Sequence, residues 1–271
     1  MLAYVHPFTL AGIRVLVVAP SLLALSLLHD RRAAPLREMP RLALLGLLGV
    51  CINQLLFVTG LKYTTAVNAS ILIPSIPVFT LSIAAIFGVE KLSGRGAAGV
   101  ALAVIGALVM LDISHFSFGR SEMLGNLFIL LNCLSYAVFL VLARPVLLRL
   151  PPFMVIGWSY VFGGLAVLAV SAPTMVSADY SGIPALAWLG IAYIVLLATL
   201  VNYVLNTWAI RHSSSSLVAS YTTLQTLIAG LLAVIFLHET VGWKEAGGCA
   251  LIVAGLALTS RKALLPANPE P

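Results

Sequence analysis

The sequence predicts an all-α, polytopic transmembrane helix bundle of about nine spans, arranged as two inverted structural repeats in an incomplete 4 + 5 version of a 5 + 5 plan. Three observations carry this expectation. Of 271 residues, 61% are hydrophobic and 9% charged, whereas a soluble domain has about a quarter of its residues charged. Mean hydropathy is +1.08, and apolar runs of about twenty residues recur from end to end, each able to cross roughly 30 Å of hydrocarbon. Finally, one polar stretch, LKYTTAVNASILIPSIPVF from Leu61 to Phe79, has the same layout as IRHSSSSLVASYTTLQTLI from Ile210 to Ile228. The alternation of a membrane β-barrel is absent from the sequence.

Prolines, glycines or charges separate the runs and place the spans at roughly 6–28, 42–61, 66–88, 96–112, 123–143, 153–172, 184–208, 215–237 and 246–260. The first is too long for a signal h-region and contains Arg14, so no cleaved leader is expected. The second carries Asn53 and Gln54 in mid-span. The third opens on Thr64, Thr65 and Asn68 and holds Pro74 and Pro77. The fourth presents Gly99, Ala103 and Gly106 as a small-residue seam, matched by Gly248 and Gly255 in the last. GRGAAG, from Gly94, spells a dinucleotide fingerprint. It lacks a preceding strand and opens a span, so that reading is discarded.

Basic residues alternate by side. Arg31, Arg32, Arg37, Arg41, Lys91, Arg95, Arg144, Arg149, Arg211, Arg261 and Lys262 fall on one side, and Lys62, Arg120 and Lys244 on the other. The positive-inside rule makes the first side cytoplasmic, with the C-terminus. Cys51, Cys133 and Cys249 sit singly in apolar runs and form neither a disulfide framework nor a zinc pattern. The net charge of +6 is read as a topology signal. No basic cluster stands beside aromatics, so nucleic acid is set aside.

At an offset of 149, Lys62 meets Arg211, Glu90 meets Glu239, Gly99 meets Gly248 and Gly106 meets Gly255, without a gap. PFTLAG from Pro7 meets PFMVIG from Pro152 at an offset of 145. Such internal repetition points to a transporter or channel made of two halves. The span at 123–143 has no counterpart in the first half, so the parent plan has five helices per half. An odd number makes the halves inverted. The domains expected are a first repeat over 1–112, a second over 123–262 and a short polar tail over 263–271.

The segments GLKYTTAVNASILIPSIPVFTLSIAAIFGVEKL, from Gly60, and ATLVNYVLNTWAIRHSSSSLVASYTTLQTLIAGLLAVIFLHE, from Ala198, resemble the EamA-type domain of the drug/metabolite transporter superfamily. Tyr203, Trp208, Gln225 and Glu239 stand at familiar places, and the likeness covers nearly the whole chain. The resemblance implies ten helices in two inverted halves, moving small metabolites by alternating access around a central cavity. This sequence departs from it in the absent first helix and in Thr226, where a proline is usual.

Candidate substrate-binding residues are the polar and helix-breaking groups inside spans. Pro74 and Pro77 leave the carbonyls of Ser70 and Ile73 without α-helical donors, and Ser75 lies between them. Broken helices often mark transporter sites, though a simple kink is the alternative. Thr199, Asn202 and Asn206, spaced three and four apart, share a face of a regular helix. Asn132 with Tyr136, and Tyr221 with Gln225, are spaced four apart. Asn53 and Gln54 complete the set. Interhelical bonding and cavity lining are both open for each of these residues. Arg14 is the formal charge well inside a span, and it can snorkel, bond a carbonyl or hold an anion. Glu90 and Glu239 end their spans, where structural pairing and a gate contact are both open.

No Asp or Glu sits at mid-depth, which favours facilitated or exchange transport over tight proton coupling. The five histidines lie near span ends, so no enzyme-like constellation forms at depth. No cofactor is expected. The partners expected are a small-molecule metabolite and the lipid bilayer, with a homodimer as an open assembly. The reading is a metabolite transporter of the cell membrane and, as the resemblance implies, an exporter; the alternative is a non-transporting or degenerate membrane subunit.

Overall fold

The computed structural model describes residues 4–30, 34–90, 93–110, 119–225, 228 and 243–260. Every regular element among them is a helix: α1 (Pro7–Asp30), α2 (Leu36–Tyr63), α3 (Ala66–Leu72), α4 (Ser75–Ile86), α5 (Gly94–Met110), α6 (Arg120–Leu147), α7 (Pro152–Val176), α8 (Ala185–His212), α9 (Ser215–Ser220) and α10 (Trp243–Ser260). Six helical stretches are long and apolar enough to cross a membrane: α1, α2, Asn68–Ile86, Glu122–Leu147, α7 and α8. Gly94–Val109 and Ala246–Thr259 are shorter apolar helices. The second half of the expected span at 215–237, apart from Ile228, and Glu239 beyond it lie outside the described residues.

Two helices depart from α geometry at related places. Leu47–Ile52 of α2 and Leu196–Val201 of α8 each form a π turn. Their first and last residues are 149 positions apart. A π turn widens the helix and weakens local backbone bonding, and such turns concentrate at functional sites. An Asn follows each of them, Asn53 in α2 and Asn202 in α8.

The chain divides into two compact units, and each draws segments from both halves of the sequence. The first unit comprises 1–59 and 142–212. Here α1 packs along α7, and α2 and α8 also lie against α7. Val15, Val18, Leu22, Tyr160, Val167, Ile191 and Val195 form its buried centre. Gly46 and Gly163 allow the closest approach: a Cβ on Gly46 would strike the Ser159 carbonyl and lie 2.8 Å from the Gly163 nitrogen. Thr9 fixes the α1–α7 register by donating to the Thr174 carbonyl at 3.0 Å.

The second unit comprises 60–141 and 213–271. Its α5 packs along α10, and α9 lies against α4. The expected glycine seam is the contact surface of α5 and α10, and the contact is reciprocal. A Cβ on Gly99 would be 2.8 Å from the Gly255 carbonyl, and one on Gly106 would be 2.7 Å from the Gly248 carbonyl. Without side chains in the way, dispersion contacts accumulate along two backbones, which is how helices associate where lipid is as apolar as they are.

Candidate functional site

The broken helix expected at the prolines is present, with one correction. The backbone turns at Ile73 and Pro74, between α3 and α4. Pro77 stands in the first turn of α4, where a missing N–H costs little. The Ile73 carbonyl, expected to lack a partner, accepts from the Ile76 nitrogen at 3.0 Å. The chain tightens to an i+3 bond there, and the Cys133 thiol lies 3.9 Å from the neighbouring Leu72 carbonyl. In the second half the corresponding break falls at Tyr221, after α9. No proline makes it. Instead Thr222 and Thr223 donate to the carbonyls of Ala219 and Ser220, both at 2.7 Å.

The polar clusters that precede these breaks divide their labour. One hydroxyl in each is a helix cap: Thr65 accepts from the Asn68 nitrogen, and Ser214 from the Leu217 nitrogen. The others reach neighbouring helices. Thr64 donates to Asn126 Oδ1 at 2.6 Å, and the Asn68 amide donates to the same oxygen at 3.2 Å. Ser215 donates to the Leu140 carbonyl at 2.9 Å. Glu90 Oε1 accepts from the Ser216 nitrogen at 3.2 Å, which gives its carboxylate a structural role at the start of α9. Asn126 was missed in the sequence because it lies near a span end; its spacing from Asn132 gives no clue that it meets α2 and α3.

In the first unit the π turn of α8 overturns one expectation. Thr199, Asn202 and Asn206 do not share an environment, because the widened turn shifts the helical phase between Thr199 and Asn202. Thr199 is fully buried, Asn202 is exposed and Asn206 is intermediate. Thr199 donates to the Ile194 carbonyl at 2.8 Å and accepts from Arg14 Nε at 3.0 Å. One turn on, Tyr203 donates to the Gly49 carbonyl, inside the π turn of α2, at 3.0 Å. Its ring meets that of fully buried Tyr160 edge-on, with centroids 4.9 Å apart. The Tyr203 hydroxyl, two residues past the π turn of α8, therefore joins α8 to the π turn of α2.

Of the remaining candidates in this unit, Gln54 is buried and Asn53 half-buried. In the second unit Pro74, Pro77 and Asn132 are buried, and Ser75 and Tyr136 half-buried, with Tyr136 stacked on Phe139. Tyr221 and Gln225 are both exposed. Thus Asn202, Tyr221 and Gln225 present polar groups outward from their helices, while Thr199 and Asn132 are enclosed.

Membrane-length apolar helices, one broken beside polar residues and two widened by π turns, define a multi-pass membrane protein. The chain belongs to the EamA-like transporter family, whose model matches residues 1–112 and 123–261. It is 28% identical over 260 residues to an uncharacterized transporter of Archaeoglobus fulgidus, covering 94% of this chain and 88% of the relative. The uncharacterized inner membrane transporter YedA of Escherichia coli is 26% identical over 269 residues, covering 97% and 85%. The uncharacterized transporter YdfC of Bacillus subtilis is 28% identical over 243 residues, covering 87% and 74%. A solved crystal structure superposes with a TM-score of 0.78 at 22% identity, covering 96% of this chain and 88% of the other. The protein is a membrane transporter.

Proposed function

We propose that the chain moves small polar or amphipathic metabolites across the cell membrane, in the export direction, by alternating access through a central cavity. Its C-terminus faces the cytoplasm, and its halves are inverted repeats of one five-helix plan. The observation that supports this best is the recurrence at an offset of 149 of the π turns, the Asn after each, and the hydroxyl caps at Thr65 and Ser214. Halves with the same local chemistry can exchange conformations, which is the basis of alternating access in repeat-built transporters. Asn53, Gln54, Pro74, Ser75, Pro77, Asn132, Tyr136, Asn202, Asn206, Tyr221 and Gln225 line the pathway in this reading. Thr199 acts through the arginine it holds. Transport is facilitated or by exchange, because the spans carry no mid-depth acid to relay protons.

The test is counterflow of labelled amino acids and short organic acids in proteoliposomes, with and without an imposed pH gradient. Saturable flux that persists when the gradient is collapsed is expected. A folded, monodisperse protein giving no flux above protein-free liposomes would favour the non-transporting subunit.

A further inference from the structure

We infer that the site around Arg14 takes a metabolite carrying one carboxylate, and that Arg14 selects for it; this rests on the transport reading above and names its substrate class. Arg14 is the eighth residue of α1, about 10 Å along the helix from its start at 1.5 Å per residue. Among the described residues the one partner of its guanidinium is Thr199, whose Oγ1 accepts from Nε at 3.0 Å. Thr199 is immobile, being fully buried and tied to the Ile194 carbonyl. That bond holds the guanidinium at Nε, and neither Nη has an acceptor among the described residues. The ion pairs among the described residues lie elsewhere, at Glu38. A guanidinium does not deprotonate, so a charge inside a span needs an acceptor from outside the protein.

A second donor of the same unit is unmet. Gln54 is 7% exposed, and its Nε2 has no hydrogen-bond partner. An unmet buried donor costs the desolvation of that group unless something fills it. The connection between the two donors is continuous. Arg14 holds Thr199, Tyr203 follows four residues later, its hydroxyl holds Gly49, and Gln54 stands just beyond that π turn. The Arg14 Nη groups and Gln54 Nε2 can only donate, and a carboxylate is acceptor-only with a shape that suits the guanidinium fork; the buried Tyr160 hydroxyl, also without a partner among the described residues, can donate to it as well. One guanidinium balances one carboxylate. A phosphate monoester would bring about two negative charges and leave one uncompensated at low dielectric.

The experiment measures thermal-unfolding shifts of the detergent-purified protein with matched probes: hexanoate and hexanamide, benzoate and benzamide, L-leucine and L-leucinamide, with inorganic phosphate alongside. At least one acid raises the unfolding midpoint and its amide does not. Arg14→Gln, which keeps a donor toward Thr199, weakens that acid on the order of a hundredfold, and Arg14→Lys recovers part of the loss. Should the Arg14 variants fail to fold, Thr199→Asp places a carboxylate beside the guanidinium and abolishes acid binding in a folded chain. Equal shifts from acid and amide, a response to phosphate alone, or unchanged acid affinity in folded Arg14→Gln or Thr199→Asp would each overturn the inference. Flux of the same probes in proteoliposomes separates the two readings. Amide flux without acid binding removes the carboxylate site and leaves transport standing; acid binding without flux of any probe does the reverse.

Discussion

Thr65 and Ser214, 149 positions apart, make the same bond: each side-chain oxygen accepts from the backbone nitrogen three residues on, at 3.1 Å in both cases. Each satisfies one of the orphan donors in the first turn of the helix that follows it. Thr65→Ala and Ser214→Ala should each lower stability by about 1 kcal/mol, with Asp at either position recovering most of it. Thermal unfolding in detergent reads both. Equal stability of the alanine and wild-type proteins would show that the caps are redundant.

Asn126 should matter more. Its Oδ1 receives both Thr64 and Asn68, and all three side chains are buried. Asn126→Leu strands two donors at once, at about 1–3 kcal/mol for each unmet group. The expected loss therefore exceeds that at either cap. Retention of wild-type stability would mean that water enters the cluster.

Gly99→Leu and Gly255→Leu should both reduce the yield of monodisperse protein. At each site a first side-chain carbon already meets backbone: it would lie 2.8 Å from the Gly255 carbonyl for Gly99, and 2.6 Å from the Gly99 carbonyl for Gly255. Overpacking of this kind costs about 1–3 kcal/mol and often more. Normal yields of both variants on size-exclusion chromatography would contradict the close crossing of α5 and α10.

Asn202 and Gln225 are exposed and Asn206 is half-buried. Alanine at Asn202 or Gln225 should leave stability within about 1 kcal/mol and alter substrate affinity or selectivity, the signature of a group that meets ligand. Alanine at Asn206 should show a larger stability loss beside any change in affinity. Ligand binding measured beside thermal unfolding separates these outcomes. Destabilisation at Asn202 and Gln225 with unaltered affinity would remove both from the pathway.

The proposed topology rests on charge alone and is checked by labelling. A reporter fused after Lys262 should be cytoplasmic, and a cysteine at Ser117 should react with an impermeant reagent added outside. Reaction at Ser117 only after permeabilisation would overturn the inverted arrangement.

The helical class, the polar segments that open helices and the seam glycines were legible because they follow from composition and local chemistry. A run of apolar residues has few other fates, and hydroxyls ahead of such a run cap it. What stayed hidden depends on distant partners. Thr64 and Thr65 are indistinguishable in sequence, yet one caps its own helix and the other bonds α6. Arg14 gave no sign of Thr199, 185 residues away. The π turns were least legible of all, since Leu47–Ile52 and Leu196–Val201 are ordinary apolar sequence. Assuming a regular helix across the second one placed Thr199 and Asn202 on a common face.

A π turn is in effect one residue too many in an α-helix, and this gives the chain an uneven tolerance of insertions and deletions. Removing one residue from most of α8 rotates everything beyond it by about 100°, one residue's share of a 3.6-residue turn, and carries apolar groups out of the core. Removing exposed Leu197 instead lets the turn close as an α-helix, with the flanking residues near their old bearings. The carbonyl that the widened turn offers is then withdrawn, and Thr199 can no longer reach back five residues to Ile194 while holding Arg14. Length variation at this point would spare the scaffold and act on the arginine alone.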